Sequence, residues 1–78
     1  MKLNDLEIEL LNHLADEWEN NGPPGYLETK ILAKRLDISV WKTKSTIDSL
    51  YAMGLVDTDK IDKFAAYLTP EGYEKVRS

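Results

Sequence analysis

The sequence predicts a mainly helical α+β domain: a three-helix core, a short C-terminal helix and a small β-hairpin. Apolar residues recur at helical spacing from Asn4 to Asn20. Two shorter helical patterns flank the tight turn Asp37-Ile38-Ser39. Two short apolar runs, Leu55-Val56 and Phe64-Ala65-Ala66-Tyr67-Leu68, then enclose a polar tip from Asp57 to Lys63. No linker or repeat divides the 78 residues, so 1–78 is read as one domain.

The first helix is expected over 4–20. Asn4 can cap it, with Glu7 three residues later as in a capping box. On a helical wheel Leu3, Leu6, Ile8, Leu10, Leu11, Leu14, Ala15 and Trp18 fill an arc of about 200°. Glu7 and Glu17 intrude on that arc. So wide an arc fits a helix buried on two sides within its own domain, or one that also meets a second subunit. Asn21-Gly22-Pro23-Pro24-Gly25 is the strongest breaker in the chain and ends this helix.

A helix-turn-helix is expected over 28–53. Its first helix, from Thr29 to Leu36, has Ile31, Leu32, Ala33 and Leu36 as its apolar positions. Ser39 is a good N-cap for the next helix, Val40 to Met53, and Gly54 suits the position just past its end. On that helix Val40, Thr43, Ile47, Leu50 and Tyr51 share the core face, opposite Trp41, Lys42, Ser45, Asp48, Ser49 and Ala52. The segment 55–68 reads as a hairpin, but Ile61, Phe64, Ala65 and Leu68 also fit helical spacing, and no Gly is present for a tight turn. Thr69 caps a last helix over 70–77, with Pro70 at its first position.

Composition narrows the function. Ten Lys and Arg against fourteen Asp and Glu give a net charge of −4. Cysteine is absent, which excludes disulfides, thiolate metal sites and a Cys nucleophile and suits a reducing cytoplasm. The early acids Asp5, Glu7 and Glu9 are unlike a secretory signal, and no apolar run is long enough to span a membrane. With one His, no phosphate-cradling Gly loop and no plausible Ser-His-Asp set, catalysis is not expected, nor is a cofactor. His13 borders the apolar arc and reads as a partly buried histidine rather than a metal ligand. Asp57, Asp59 and Asp62 lack the turn Gly and distal Glu of a calcium loop and read as a solvated tip.

The charge is unevenly placed. Residues 1–29 hold one base and seven acids, whereas 30–44 hold Lys30, Lys34, Arg35, Lys42 and Lys44 against Asp37 alone. One basic face can act locally in an acidic protein, because salt screens charges beyond about 10 Å.

Several residues in this order resemble the winged helix-turn-helix domain of prokaryotic transcriptional regulators, in particular repressors of the multiple-antibiotic-resistance type. They are Leu32-Ala33, Leu36-Asp37-Ile38-Ser39, then Ile47 and Leu50 eight and eleven residues after Ser39, then Gly54-Leu55-Val56 and Leu68-Thr69-Pro70-Glu71-Gly72. The resemblance spans about residues 27–73. The chain departs from the family pattern in having Asp37 for a common Gly, Thr43 for a common Val, and aspartates interleaved with Lys60 and Lys63 where wing tips are usually Arg-rich.

The resemblance implies a cytoplasmic DNA-binding protein that regulates transcription as a homodimer, with double-stranded DNA as partner and helix 40–53 in the major groove. Lys42, Ser45 and Ser49 would face base edges. Lys30, Lys34, Arg35 and Lys44 would hold phosphates, and Lys60 and Lys63 would follow the minor groove from the wing at 55–68. Trp41 has three readings: it covers the edge of its own core, meets DNA, or anchors a protein partner. The competing function is a winged-helix protein-interaction module that uses the first helix and Trp41 and has no strong DNA affinity. A homodimer would form through the first helix.

Overall fold

The computed structural model describes residues 2–59 and 64–77. The chain runs α1 (Asp5–Asn21), β1 (Leu27–Glu28), α2 (Thr29–Leu36), α3 (Val40–Ala52), β2 (Val56–Thr58), β3 (Ala65–Leu68) and α4 (Pro70–Arg77). This is the expected mainly helical α+β architecture, with one strand more than the sequence reading foresaw.

The α1 N-terminus carries the expected capping box. Asn4 Oδ1 accepts from the Glu7 amide at 2.8 Å, and the Asn4 amide donates to Glu7 Oε1 at 2.9 Å. Leu10, Leu11, Leu14 and Ala15 are wholly buried, and α1 packs on α2, α3, α4 and β3. Its wide apolar arc is therefore consumed mostly within the molecule. Ile8, placed on that arc, is exposed instead.

The turn between α2 and α3 closes through Asp37, whose φ of 58° lies in the left-handed region. The Ile38 amide donates to the Ala33 carbonyl at 3.0 Å and satisfies an orphan acceptor at the end of α2. Ser39 Oγ then accepts from the Lys42 amide at 3.0 Å and starts α3. The core face of α3 differs from the expected one. Thr43, Thr46, Ile47 and Leu50 are buried, whereas Val40 and Tyr51 are exposed. Both buried threonines solve their polarity locally: Thr43 Oγ1 donates to the Ser39 carbonyl and Thr46 Oγ1 to the Lys42 carbonyl, each at 2.9 Å. That local solution lets Thr46 take a core position.

The three strands form one antiparallel sheet in the order β1-β3-β2. The segment after α3 is thus a hairpin, and the helical alternative is excluded for its described part. Each strand starts one residue later than its apolar run, because Leu55 and Phe64 lie just outside the ladder, and β2 runs on through Asp57 to Thr58. No Gly is needed, since six residues separate Thr58 from Ala65. Side chains close the loop: Asp59 Oδ1 accepts from the Phe64 amide at 2.7 Å, and Thr58 Oγ1 donates to the Ala65 carbonyl at 2.7 Å. Strand β1 is the unexpected element. The Thr29 amide donates to the Phe64 carbonyl, and the Leu68 amide to the Pro24 carbonyl, each at 2.8 Å. The segment from Pro24 to Thr29 thereby edges β3 along its length.

Two glycines permit close approach. Gly25 has φ of 67°, and a Cβ there would lie 2.5 Å from the Leu14 carbonyl oxygen of α1. Gly72 sits in α4 directly against the Leu55 carbonyl, with no room for a methyl group. Helix α4 closes over α1 through a stack of Trp18 on Tyr73, ring centroids 4.9 Å apart. Arg77 extends the closure, donating to Asn12 and Asp16 at 2.6 Å each and to Glu19 at 3.1 Å.

Candidate nucleic-acid interface

Helix α3 is anchored by Ile47 and Leu50 and turns Trp41, Lys42, Ser45, Asp48 and Ser49 outward. Trp41 is 76% exposed, so it does not cover the edge of its own core. Lys42 and Ser45 stand on the same exposed face near the helix start. Ser49 is turned toward α1: its Oγ donates to Glu7 Oε2 at 2.7 Å. That bond explains how the carboxylate of Glu7 can be buried, because it accepts from Ser49 and from the Asn4 amide together.

Helix α2 lies beside α3 and contributes the cations. Lys30, Lys34 and Arg35 are exposed and line a shallow surface groove with Ile31. Arg35 also reaches Glu17 of α1 at 4.0 Å, a loose surface pair worth little. A second, smaller cleft runs between α2, the start of α3 and the root of the wing, lined by Thr29, Lys30, Val40, Lys44 and Phe64. Lys44 is half-buried there, with its stem along the cleft. Lys60 and Lys63 lie outside the described residues.

Lys30 thus joins Lys34 and Arg35 in one groove and Lys44 in the other. Exposed apolar side chains line the same grooves: Ile31, Val40 and Phe64. Val40 and Phe64 were not legible as surface residues in the sequence, since each sits in an apolar pattern that points inward. Elsewhere the acids of α1 are partly neutralised, because Asp16 and Glu19 hold Arg77.

Two tyrosines are perturbed. Asp57, opposite Tyr67 in the ladder, holds its hydroxyl above the usual phenol range by charge, with burial and a hydrogen bond to the same carboxylate adding to it. Tyr73 is raised chiefly by its hydrogen bond to Glu19, at 2.8 Å. Both stay neutral across the physiological range. Among the described residues no group of three or more His, Asp or Glu side chains could hold a metal ion, and no helix is long and apolar enough to cross a membrane.

A helix-turn-helix whose flanking strands form a three-stranded sheet and wing defines the class: this is a winged-helix domain, similar in fold to those of MarR family regulators. Solved structures carry that statement. Sco5413, a MarR family transcriptional regulator from Streptomyces coelicolor, superposes with a TM-score of 0.80 at 26% identity over 95% of this chain. The chain spans about half of that protein, 49% of its length. A Ralstonia eutropha JMP134 protein, Reut_B4095, whose name proposes that it binds DNA, superposes with a TM-score of 0.78 at 25% identity, over 96% of this chain and 94% of that one. Neither a family profile nor a curated protein matches the sequence.

Proposed function

We propose that the protein is a small DNA-binding transcriptional regulator that acts in the cytoplasm as a homodimer and catalyses no reaction. The observation that carries this reading is the gathering of Lys30, Lys34, Arg35, Lys42 and Lys44 on adjoining helices of an otherwise acidic chain. Helix α3 enters the major groove, where Lys42 donates to guanine and Ser45 meets its neighbour. Trp41 adds an apolar contact at the groove wall. Lys30, Lys34, Arg35 and Lys44 neutralise phosphates, and Lys60 and Lys63 extend the contact from the wing tip. Ser49 takes part only if its hydroxyl leaves Glu7, so it is the weakest member of the set. The likeness to a MarR family regulator supports the same reading. The dimer forms across the groove between α1 and α4, where Leu3, Ile8 and Val76 are left for a second copy to cover.

A salt titration of binding to random duplex DNA tests this reading. Log K should fall linearly with log salt, and Lys42→Ala/Lys44→Ala should flatten the slope by up to about two units. The second reading, a protein-interaction module, is favoured by the exposed Trp41, and by exposed Val40 and Phe64 in one cleft. Absence of duplex binding even at low salt would leave that reading standing, and Trp41→Ala should then abolish partner capture.

A further inference from the structure

The outward face of the sheet carries a feature of opposite character to the α2–α3 surface. Register places Asp57 of β2 opposite Tyr67 of β3, and Leu27 of β1 opposite Ala66. Continuing that register puts Tyr26 opposite Tyr67, so Tyr26, Tyr67 and Asp57 form one row across the sheet. The two rings are in fact stacked, 6.3 Å between centroids and 24° between planes. Leu27, Val56, Thr58, Ala66 and Leu68 are buried on the inner face, while in the row Tyr26 is 51% exposed and Tyr67 and Asp57 are half-buried; beside them Ala65 is buried. Asp59 follows at the end of β2 and Glu28 continues β1, so the rings are bordered by carboxylates at both edges of the sheet.

We infer that this row is a docking surface for an arginine-bearing segment of a protein partner, separate from the basic face of α2 and α3. The chemistry fits in two ways. An aromatic face attracts a guanidinium through its ring quadrupole, and Arg stacks on planar rings better than Lys does. A neighbouring carboxylate adds a charge-assisted, two-pronged hydrogen bond to the same guanidinium. Asp57 accepts the Thr58 amide on Oδ1 at 2.8 Å and a hydrogen bond from the Tyr67 hydroxyl, and a carboxylate has lone pairs for a further donor. The upward-shifted Tyr67 phenol stays a neutral donor to that carboxylate, so no competing charge arises in the row. A cross-strand aromatic pair that only fastened β1 would need no acids at its borders.

The test is an NMR titration of the full chain with an acetylated, amidated Gly-Arg-Gly-Arg-Gly peptide, beside the same peptide with glutamine for arginine. The arginine peptide should shift the ring signals of Tyr26 and Tyr67 and the Asp57 amide in a saturable way, and the glutamine peptide should not. Tyr26→Leu keeps apolar bulk without a ring, and Asp57→Asn keeps the shape without the charge. Each should weaken binding roughly three- to fivefold while the amide spectrum stays folded. Equal binding by both peptides would overturn the assignment. So would unchanged affinity in both variants, or shifts centred on Asp5 and Glu9 of α1.

Discussion

Asp37 shows how one residue can serve a turn at a cost. An L-residue at positive φ is strained, and Asp tolerates the left-handed region better than most because its side chain bonds locally. The turn between α2 and α3 requires that conformation, and the family pattern often fills it with Gly. Asp37→Gly should therefore raise stability by roughly 0.5–1 kcal/mol, read from the midpoint of urea unfolding. Gly72 is the converse case. Its α4 backbone lies against the Leu55 carbonyl, so Gly72→Ala should lower stability by about 1–3 kcal/mol despite the better helix propensity of Ala. Glu7 belongs at this scale too. A carboxylate intruding on an apolar arc looks misplaced on a wheel, yet the capping box and Ser49 give it partners on two sides.

At the scale of elements, α4 is the one held chiefly by side-chain chemistry. It has eight residues and few buried side chains, and it leans on α1 through Tyr73 and Arg77. Helices that short are not stable alone. Arg77→Ala should speed hydrogen exchange in α4, by about the factor of five to ten that roughly 1 kcal/mol of local stability represents, and leave the amides of α2 and α3 protected. The wing shows a different division of labour. Its strands are short, and the loop between them is closed by Thr58 and Asp59 rather than by a Gly turn. The aspartates expected as a solvated tip are thus partly structural: Asp57 and Asp59 each accept a backbone amide. Asp62 lies outside the described residues.

At the scale of the whole molecule, charge is sorted by side. Five cations lie on α2 and α3, whereas α1 and the sheet edges are rich in carboxylates. Two tyrosines beside carboxylates give stability an alkaline limit. Tyr67 and Tyr73 both have folded-state pKa values above the ordinary value of 10.0. Their contribution is complete below pH 10 and is lost as pH rises through the folded-state values, because the unfolded chain releases those protons first. Thermal midpoints should fall above about pH 10, and a Tyr67→Phe/Tyr73→Phe variant should fall less steeply there.

Local rules were sufficient for the helices. The Asn4 and Ser39 caps, the Gly-Pro breaker, Gly54 past α3 and Pro70 at the start of α4 act within a few residues, so their signals can be read along the chain. The basic stretch 30–44 was equally plain, because charge is a property of composition. Tertiary structure alone decided the rest. Strand β1 exists because β3 supplies its hydrogen bonds from about 40 residues away, and two residues carry no periodicity of their own. The exposure of Val40 and Phe64, the engagement of Ser49 by Glu7 and the row of Tyr26, Tyr67 and Asp57 all depend on which surfaces meet. Spacing along a chain sets which face of an element a residue occupies, whereas packing sets what that face encounters.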